Sequence, residues 1–300
     1  MSAPLNAPRP SSLACWVAAL RPKTLPLGAV PVLVGSAIAG HEGRFEPRLA
    51  GAALGVSLGL QVASNLVNDV ADHARGADTD ARLGPPRAVA QGWLAPGQVW
   101  TAAALSLALA AGCGVFLSYH AGWELLAVGL AAILSAVAYT AGPVPLAYHG
   151  LGEAFVFVFF GLVATAGTTY SQLGRLTPGA LLAGVALGAL ASAVLVVNNL
   201  RDLEEDAATG KRTLAVRFGP RAARLEYLLL LGAPFAALAL AVGGGWLPPR
   251  ALTACGALPL VLLSARAFLR ARGAALNPLL ARTAQLNVAF GGLLALGVCL

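Results

Sequence analysis

Apolar residues fill long stretches of this chain, and polar residues fall between those stretches rather than alternating within them. A helix crossing the hydrocarbon core of a bilayer needs about 20 predominantly apolar residues. Nine stretches approach or exceed that length, near 14–39, 49–68, 98–118, 121–141, 152–170, 179–200, 226–246, 250–269 and 283–300. The first is interrupted by Arg21, Pro22 and Lys23, and the eighth carries Pro259 inside it. The pattern predicts an all-α, polytopic membrane protein with about nine transmembrane helices and short loops. We expect one integral-membrane domain over 1–300, with a polar tail at 1–12. A basic pair breaks the apolar run behind that Pro-rich tail, so the first span is expected to be retained rather than cleaved as a signal peptide.

Composition supports this reading. Charged residues make up 11% and hydrophobic residues 58% of the 300 positions, against about 25% charged in soluble domains. Such a chain cannot cover a water-facing surface, and it has too much apolar mass for disorder. The 35 glycines suit close helix contact in lipid. Cys15, Cys113, Cys255 and Cys299 are scattered without a Cys-x-x-Cys pair, which argues against a disulfide scaffold or a cysteine zinc site. His41, His73, His120 and His149 fall in loops or at span ends, so axial ligation of a haem is not expected. No phosphate-binding loop, nucleophile elbow or His-Glu-x-x-His motif occurs.

The net charge of +7 acquires meaning from its placement. With the N-terminus cytoplasmic, the inside segments are 1–23, 69–97, 142–151, 201–225 and 266–282. These hold all but Arg44, Arg48, Arg175 and Arg250 of the 20 Lys and Arg. That asymmetry follows the positive-inside rule and supports nine spans, with the N-terminus cytoplasmic and the C-terminus outside, in the cell (cytoplasmic or inner) membrane. It leaves no excess charge calling for nucleic acid.

The acids are clustered. Asp69, Asp72, Asp78 and Asp80 follow the second span, and Asp202, Glu204, Glu205 and Asp206 follow the sixth, which the parity of spans puts on one membrane side. Asn65 and Asp69 are four apart, as are Asn68 and Asp72, and Asn198, Asp202 and Asp206 step by four. On continuing helices each series shares a face. Stacked like charges call for a cation, and hard oxygen ligands suit Mg²⁺, which takes one or two carboxylates plus substrate phosphates. Arg82 and Arg87 follow the first cluster, while Arg201, Lys211 and Arg212 flank the second. Carboxylates for metal beside Arg and Lys for phosphate oxygens describe a metal–diphosphate site. Solvated span ends and helix caps are the ordinary reading of any one of these acids, but less so of two matched clusters on one side.

These residues carry a resemblance. Asn65-Leu-Val-Asn-Asp-Val-Ala-Asp72-His-Ala-Arg-Gly-Ala-Asp78 resembles the first Asp-rich motif of the UbiA superfamily of membrane prenyltransferases, and Asn198-Asn-Leu-Arg-Asp202-Leu-Glu-Glu-Asp206 resembles the second. Within it the chain is most similar to the 1,4-dihydroxy-2-naphthoate polyprenyltransferase (MenA) branch of menaquinone synthesis. Four stretches carry this: Leu20-Arg-Pro-Lys-Thr-Leu-Pro26; the spacing given by Gly76 and Asp78; Tyr139-Thr-Ala-Gly-Pro-Val-Pro-Leu-Ala-Tyr148 followed by Gly150-Leu-Gly-Glu153; and Asn198 through Leu214. The similarity runs from about residue 16 to the end; Ala141 departs from it where Gly is commoner.

The resemblance implies a nine-span helical bundle with a cytoplasmic-side cavity, and electrophilic prenylation of an aromatic ring. The substrates would be a polyprenyl diphosphate and 1,4-dihydroxy-2-naphthoate, with membrane lipid around the chain and no obligate protein partner. Asp69, Asp72, Asp202 and Asp206 would hold Mg²⁺ and act catalytically, with Asp78 supporting. Asn65, Asn68, Asn198 and Asn199 would orient phosphate oxygens or metal-bound water, and Arg87, Lys211, Arg201 and Arg212 would grip diphosphate. Lys23 is a candidate for the aromatic carboxylate, or else snorkels to the interface; Tyr139 donates near the diphosphate, or anchors at the interface. Phe155, Phe157, Phe159 and Phe160 read more readily as lipid-facing than as cavity lining. Alternatives remain: a phytyl or other aromatic prenyltransferase of the same superfamily, or a transporter, since intramembrane acids also mark ion paths.

Overall fold

A computed structural model describes residues 10–77 and 82–300. Ser11 caps α1 (Ser12–Leu20) by accepting from the Ala14 amide. Arg21 then takes a left-handed conformation (φ 51°, ψ 65°), and the turn Pro22–Thr24 leads into α2 (Leu25–His41). The basic interruption seen in sequence is thus a bend inside one span, Ser12–His41. Next come α3 (Pro47–Ala74), α4 (Pro96–Ala121) and α5 (Glu124–Ala138). Prolines at the first turns of α3 and α4 start them where a missing N–H costs nothing.

The fifth span, Gly152–Leu173, is α6 (Gly152–Val156), a π-helical turn (Phe157–Val163) and α7 (Ala164–Leu173). α8 (Pro178–Arg201) begins under a Thr177 cap that accepts from the Ala180 amide. Then follow α9 (Leu203–Ala208) and α10 (Leu214–Gly243). Gly219 (φ 79°, ψ 174°) and Pro220 kink α10 near its start; the positive φ needs glycine and the proline breaks the hydrogen-bond ladder. A 3₁₀ stretch (Pro249–Ala257) precedes α11 (Leu258–Arg270), and α12 (Asn277–Cys299) closes the chain.

Among the described residues no strand occurs and eight helical spans are long and apolar enough to cross a bilayer. The remaining expected span is α5, which has only 15 residues. It begins after Gly122, whose φ of 128° ends α4, and stops before the turn at Gly142 and Pro143. Pro259 does not sit within a helix as expected but in the first turn of α11, where the chain restarts after its 3₁₀ stretch. The chain is a multi-pass membrane protein.

α8 forms the centre of the bundle and packs on α10, α12 and the π turn. The approach of the π turn is close: a Cβ on Gly161 would lie 2.3 Å from the Gly188 Cα. No residue but glycine fits there. α3 pairs with α4, and α2 lies between α12 and α7. The ends of α3 and α8 that carry the Asn/Asp series therefore reach the same end of the bundle.

Candidate active site

A cavity of about 340 Å³ runs from these helix ends into the bundle. Of the residues singled out in sequence, Asn65, Asn68, Asp72, Arg87, Tyr139, Asn198, Asn199, Asp202, Asp206 and Lys211 line it. Asp78 lies outside the described residues.

Asp72 is the hub. Its Oδ2 accepts from the Arg87 guanidinium at 2.6 Å and from the Lys211 ammonium at 3.4 Å, and its Oδ1 accepts from the Tyr148 hydroxyl at 3.0 Å. Arg87 also donates to the Asn68 carbonyl at 2.6 Å, so the loop after the first motif is folded back onto α3. Lys211 stands 3.8 Å from the Asp206 carboxylate as well. One ammonium thus joins the two acidic motifs.

The second motif is set by the junction of α8 and α9. The Asp206 amide donates to the Asp202 carbonyl at 2.7 Å, so the four-residue step survives the change of helix. Arg201 forks onto both oxygens of Asp202 at 2.6 Å and also reaches Asn198 Oδ1 and Asn277 Oδ1. Asn199 donates to Glu153 Oε1 at 2.7 Å. Burial raises the Asp206 carboxyl most; Lys211 opposes this, Asp202, Glu205 and Asp72 add to it, and the result is about 7. Burial, then the Asp72 charge, pushes the Tyr148 phenol above its ordinary range, so it stays a donor.

Four sequence candidates lie elsewhere. Asp69 is buried, and its carboxylate accepts from the Ala88 and Val89 amides at 3.2 and 3.4 Å, capping the loop that delivers Arg87. Arg201 is buried behind Asp202. Arg212 is exposed, and its backbone amide donates to the Tyr148 carbonyl. Lys23 is exposed, while Arg21, two residues earlier, lines the cavity. The left-handed turn at Arg21 separates their directions.

Other contributors were not singled out. Tyr148 and Glu153 stand in quoted motifs without having been assigned roles. Arg75 donates to the Thr140 and Gly142 carbonyls and so holds the 139–150 loop over the site. Thr24 ties the bend to α3, since its hydroxyl donates to the Arg21 carbonyl and accepts from Gln61 and Asn65. A polar contact across a bend has no sequence period that could reveal it.

The donor set suits a hard cation bound together with phosphate. Among the described residues no three acidic, His or Cys side chains form a ready cage. Asp72 and Asp206 nevertheless already share one cation, the Lys211 ammonium, and Asp202 lines the same cavity. Mg²⁺ typically takes such a one- or two-carboxylate set and completes its shell with phosphate and water.

Away from the carboxylates the cavity becomes apolar. Phe155, Phe159 and Phe160 line it, contrary to the lipid-facing expectation. The extra residue of the π turn brings both Phe159 and Phe160 to the cavity side, and Phe155 and Phe159 stack at 5.9 Å. Phe157 instead packs on α8 at Gly188.

Residues 28–289 match the UbiA prenyltransferase family. The chain belongs to that family. It is 37% identical over 298 residues to the 1,4-dihydroxy-2-naphthoate octaprenyltransferase of Escherichia coli, covering 95% of each chain. To the protein of the same name from Mycobacterium tuberculosis it is 44% identical over 223 residues, covering 74% of this chain and 75% of that one. Its fold is similar to that of a UbiA homologue from Archaeoglobus fulgidus bound to DMAPP and Mg²⁺, with TM-score 0.61, 16% identity and coverage of 93% and 98%. The UbiA-family chain is thus an intramembrane prenyltransferase bundle, with its paired acidic motifs at one end.

Proposed function

We propose that the chain transfers a polyprenyl group from polyprenyl diphosphate to 1,4-dihydroxy-2-naphthoate. Diphosphate and CO₂ leave, and demethylmenaquinol forms, as in menaquinone biosynthesis. The observation that carries this reading is the joining of Asp72 and Asp206 through Lys211 at the mouth of an apolar cavity. The names of the two bacterial relatives support the choice of acceptor. The whole chain acts as one unit, with the N-terminus and the polar end of the cavity on the cytoplasmic side.

Asp72, Asp202 and Asp206 would hold Mg²⁺, with Asp78 supporting and Asp69 acting through the loop that presents Arg87. Bound there, Mg²⁺ supplies Lewis-acid stabilisation of the departing diphosphate. Lys211 and Arg87 turn part of their charge from Asp72 to the phosphate oxygens. Tyr148 holds Asp72 in place by donating to its second oxygen. Asn68, Asn198 and Asn199 orient phosphate oxygens, while Arg201 fixes Asp202 from behind. The apolar walls keep water from the allylic cation, and the Phe155 and Phe159 rings can face it. The arene attacks the cation, and its carboxylate leaves as CO₂. Arg21 lines the cavity with no ion-pair partner among the described residues, and it would face that carboxylate in the place considered for Lys23.

The test is prenyl transfer by the purified chain in detergent or vesicles, offering 1,4-dihydroxy-2-naphthoate or 4-hydroxybenzoate with a polyprenyl diphosphate, with and without Mg²⁺. Demethylmenaquinol formed with the naphthoate and Mg²⁺ alone is the expected result. Product from 4-hydroxybenzoate alone would move the enzyme to another acceptor, and product from neither would overturn the reading.

A further inference from the structure

The loop that delivers Arg87 is anchored at both ends, and only one anchor belongs to its own motif. At the far end Asp69 accepts from the Ala88 and Val89 amides. At the near end the partner is Asn277, the first residue of α12. Its Nδ2 donates to the Leu83 carbonyl at 2.9 Å, across 194 positions of chain. Its Oδ1 accepts from Arg201 Nη1 at 3.0 Å, across 76 positions. A primary amide carries a donor and an acceptor on one carbon, so this side chain holds a carbonyl and a guanidinium side by side.

The packing around these bonds is close. A Cβ on Gly84 would lie 2.8 Å from Arg201 Nη2 and 3.2 Å from its Cζ, so the loop backbone rests against the guanidinium. That guanidinium is not free to step aside, because Asp202, Asn198 and Asn277 engage all three of its nitrogens. The loop of the first motif is thus seated on the group that orients the second. Lys211 joins the two motifs through their carboxylates. Asn277 joins them from behind, and it does not itself line the cavity.

We propose that Asn277 is a positioning residue for the donor diphosphate: it registers the loop bearing Arg87 against Arg201 and Asp202, so that the two halves of the diphosphate grip face one point. This rests on the reading of the chain as a prenyl-diphosphate enzyme. The bond to the Leu83 carbonyl is exposed, so water can replace the amide there and the bundle loses little when Asn277 is truncated. Arg87 then keeps its bonds to Asp72 and to the Asn68 carbonyl. What is lost is the fixed distance between that arginine and the second motif.

The experiment takes two readings on the purified chain and its variants. One is the Kd for geranylgeranyl diphosphate in Mg²⁺, by thermal-shift titration. The other is the KM for the naphthoate during turnover at saturating donor. Asn277→Ala should raise the donor Kd about tenfold or more, the scale for losing a hydrogen bond to a charged group. Its naphthoate KM should stay within about twofold, because the lost contact serves only the other substrate. Its Tm without ligand should stay close to that of the unaltered chain. Asn277→Asp keeps an acceptor for Arg201 but has no donor for the Leu83 carbonyl, so it should bind donor as weakly as the alanine variant. Gly84→Ala leaves Asn277 in place but forces loop and guanidinium apart, and it should show the same donor-selective loss. Unchanged donor binding in Asn277→Ala or Asn277→Asp, equal loss of both substrates, or unchanged donor binding in Gly84→Ala overturns the inference. If the unaltered chain binds no donor, this inference and the functional reading both fall. Donor binding without prenylation of the naphthoate overturns only that reading, and the donor Kd values then decide the role of Asn277.

Discussion

Lys211 and Asp72 stand 139 positions apart in the chain, and their side chains meet at 3.4 Å. The contact forms because the turn after α9 ends at Gly210 with a positive φ, and the Lys211 amide returns to the Asp206 carbonyl at 2.8 Å. The ammonium neutralises carboxylates from both motifs and lies 5.1 Å from the Tyr148 ring centre. Lys211→Ala should lower kcat/KM for the donor about 100-fold, the scale for losing one positioned electrostatic group. Lys211→Arg should restore part of it. Unchanged donor kinetics in the alanine variant would show that the bridge is only structural.

Asp206 gives the site a pH dependence. Its carboxyl is pushed up to about 7, so it is largely neutral at pH 6 and charged at pH 8. Mg²⁺ competes with that proton, and the apparent Mg²⁺ affinity should rise from pH 6 to pH 8 and level off above. For stability the sign is opposite. A carboxyl raised above its unfolded value of about 4 favours the folded chain at low pH, and that contribution is lost as pH climbs from about 4 to 7. Asp206→Asn should flatten both profiles in detergent. A metal titration with the same pH slope in the variant would refute the assignment.

Arg21 and Lys23 offer a paired comparison. Arg21→Ala should raise the KM for the aromatic acceptor about tenfold or more while leaving donor KM nearly unchanged, the loss expected for a charge-assisted contact. Lys23→Ala should alter neither, because that side chain is exposed. The reverse outcome would return the carboxylate to Lys23.

Glu153 accepts from Asn199 at 2.7 Å and is buried, and its other oxygen, Oε2, has no hydrogen-bond partner among the described residues. Glu153→Ala removes the acceptor of a buried amide and should cost about 1–3 kcal/mol of stability along with part of kcat. Glu153→Gln keeps an acceptor oxygen and should retain most of both. A glutamine variant as impaired as the alanine variant would point to a need for the carboxylate itself.

The regular parts of the molecule were legible in its sequence. Asn68 and Asp72 could be placed on one face because α3 continues unbroken past them, and Asn198, Asp202 and Asp206 because helical spacing persists across the α8–α9 junction. Side-chain direction at irregular points was not legible. Asp69 is turned by the amides of a loop 19 and 20 residues later. Arg21 and Lys23 part at a left-handed turn, and the Phe cluster turns inward through one extra residue in a π turn. Each of these depends on tertiary contacts or backbone irregularity, which a residue period does not encode.

The brevity of α5 bears on the surrounding lipid. Its 15 residues rise about 22 Å, while an average hydrocarbon layer is about 30 Å thick. Such hydrophobic mismatch is relieved by local bilayer thinning. Headgroups and water would then dip toward the membrane interior beside this helix. A charged, water-soluble arene would have less oil to cross, and an isoprenoid would be met where acyl chains are already disordered. Turnover should therefore vary with the acyl length of the host vesicle, so that the bilayer itself tunes this enzyme.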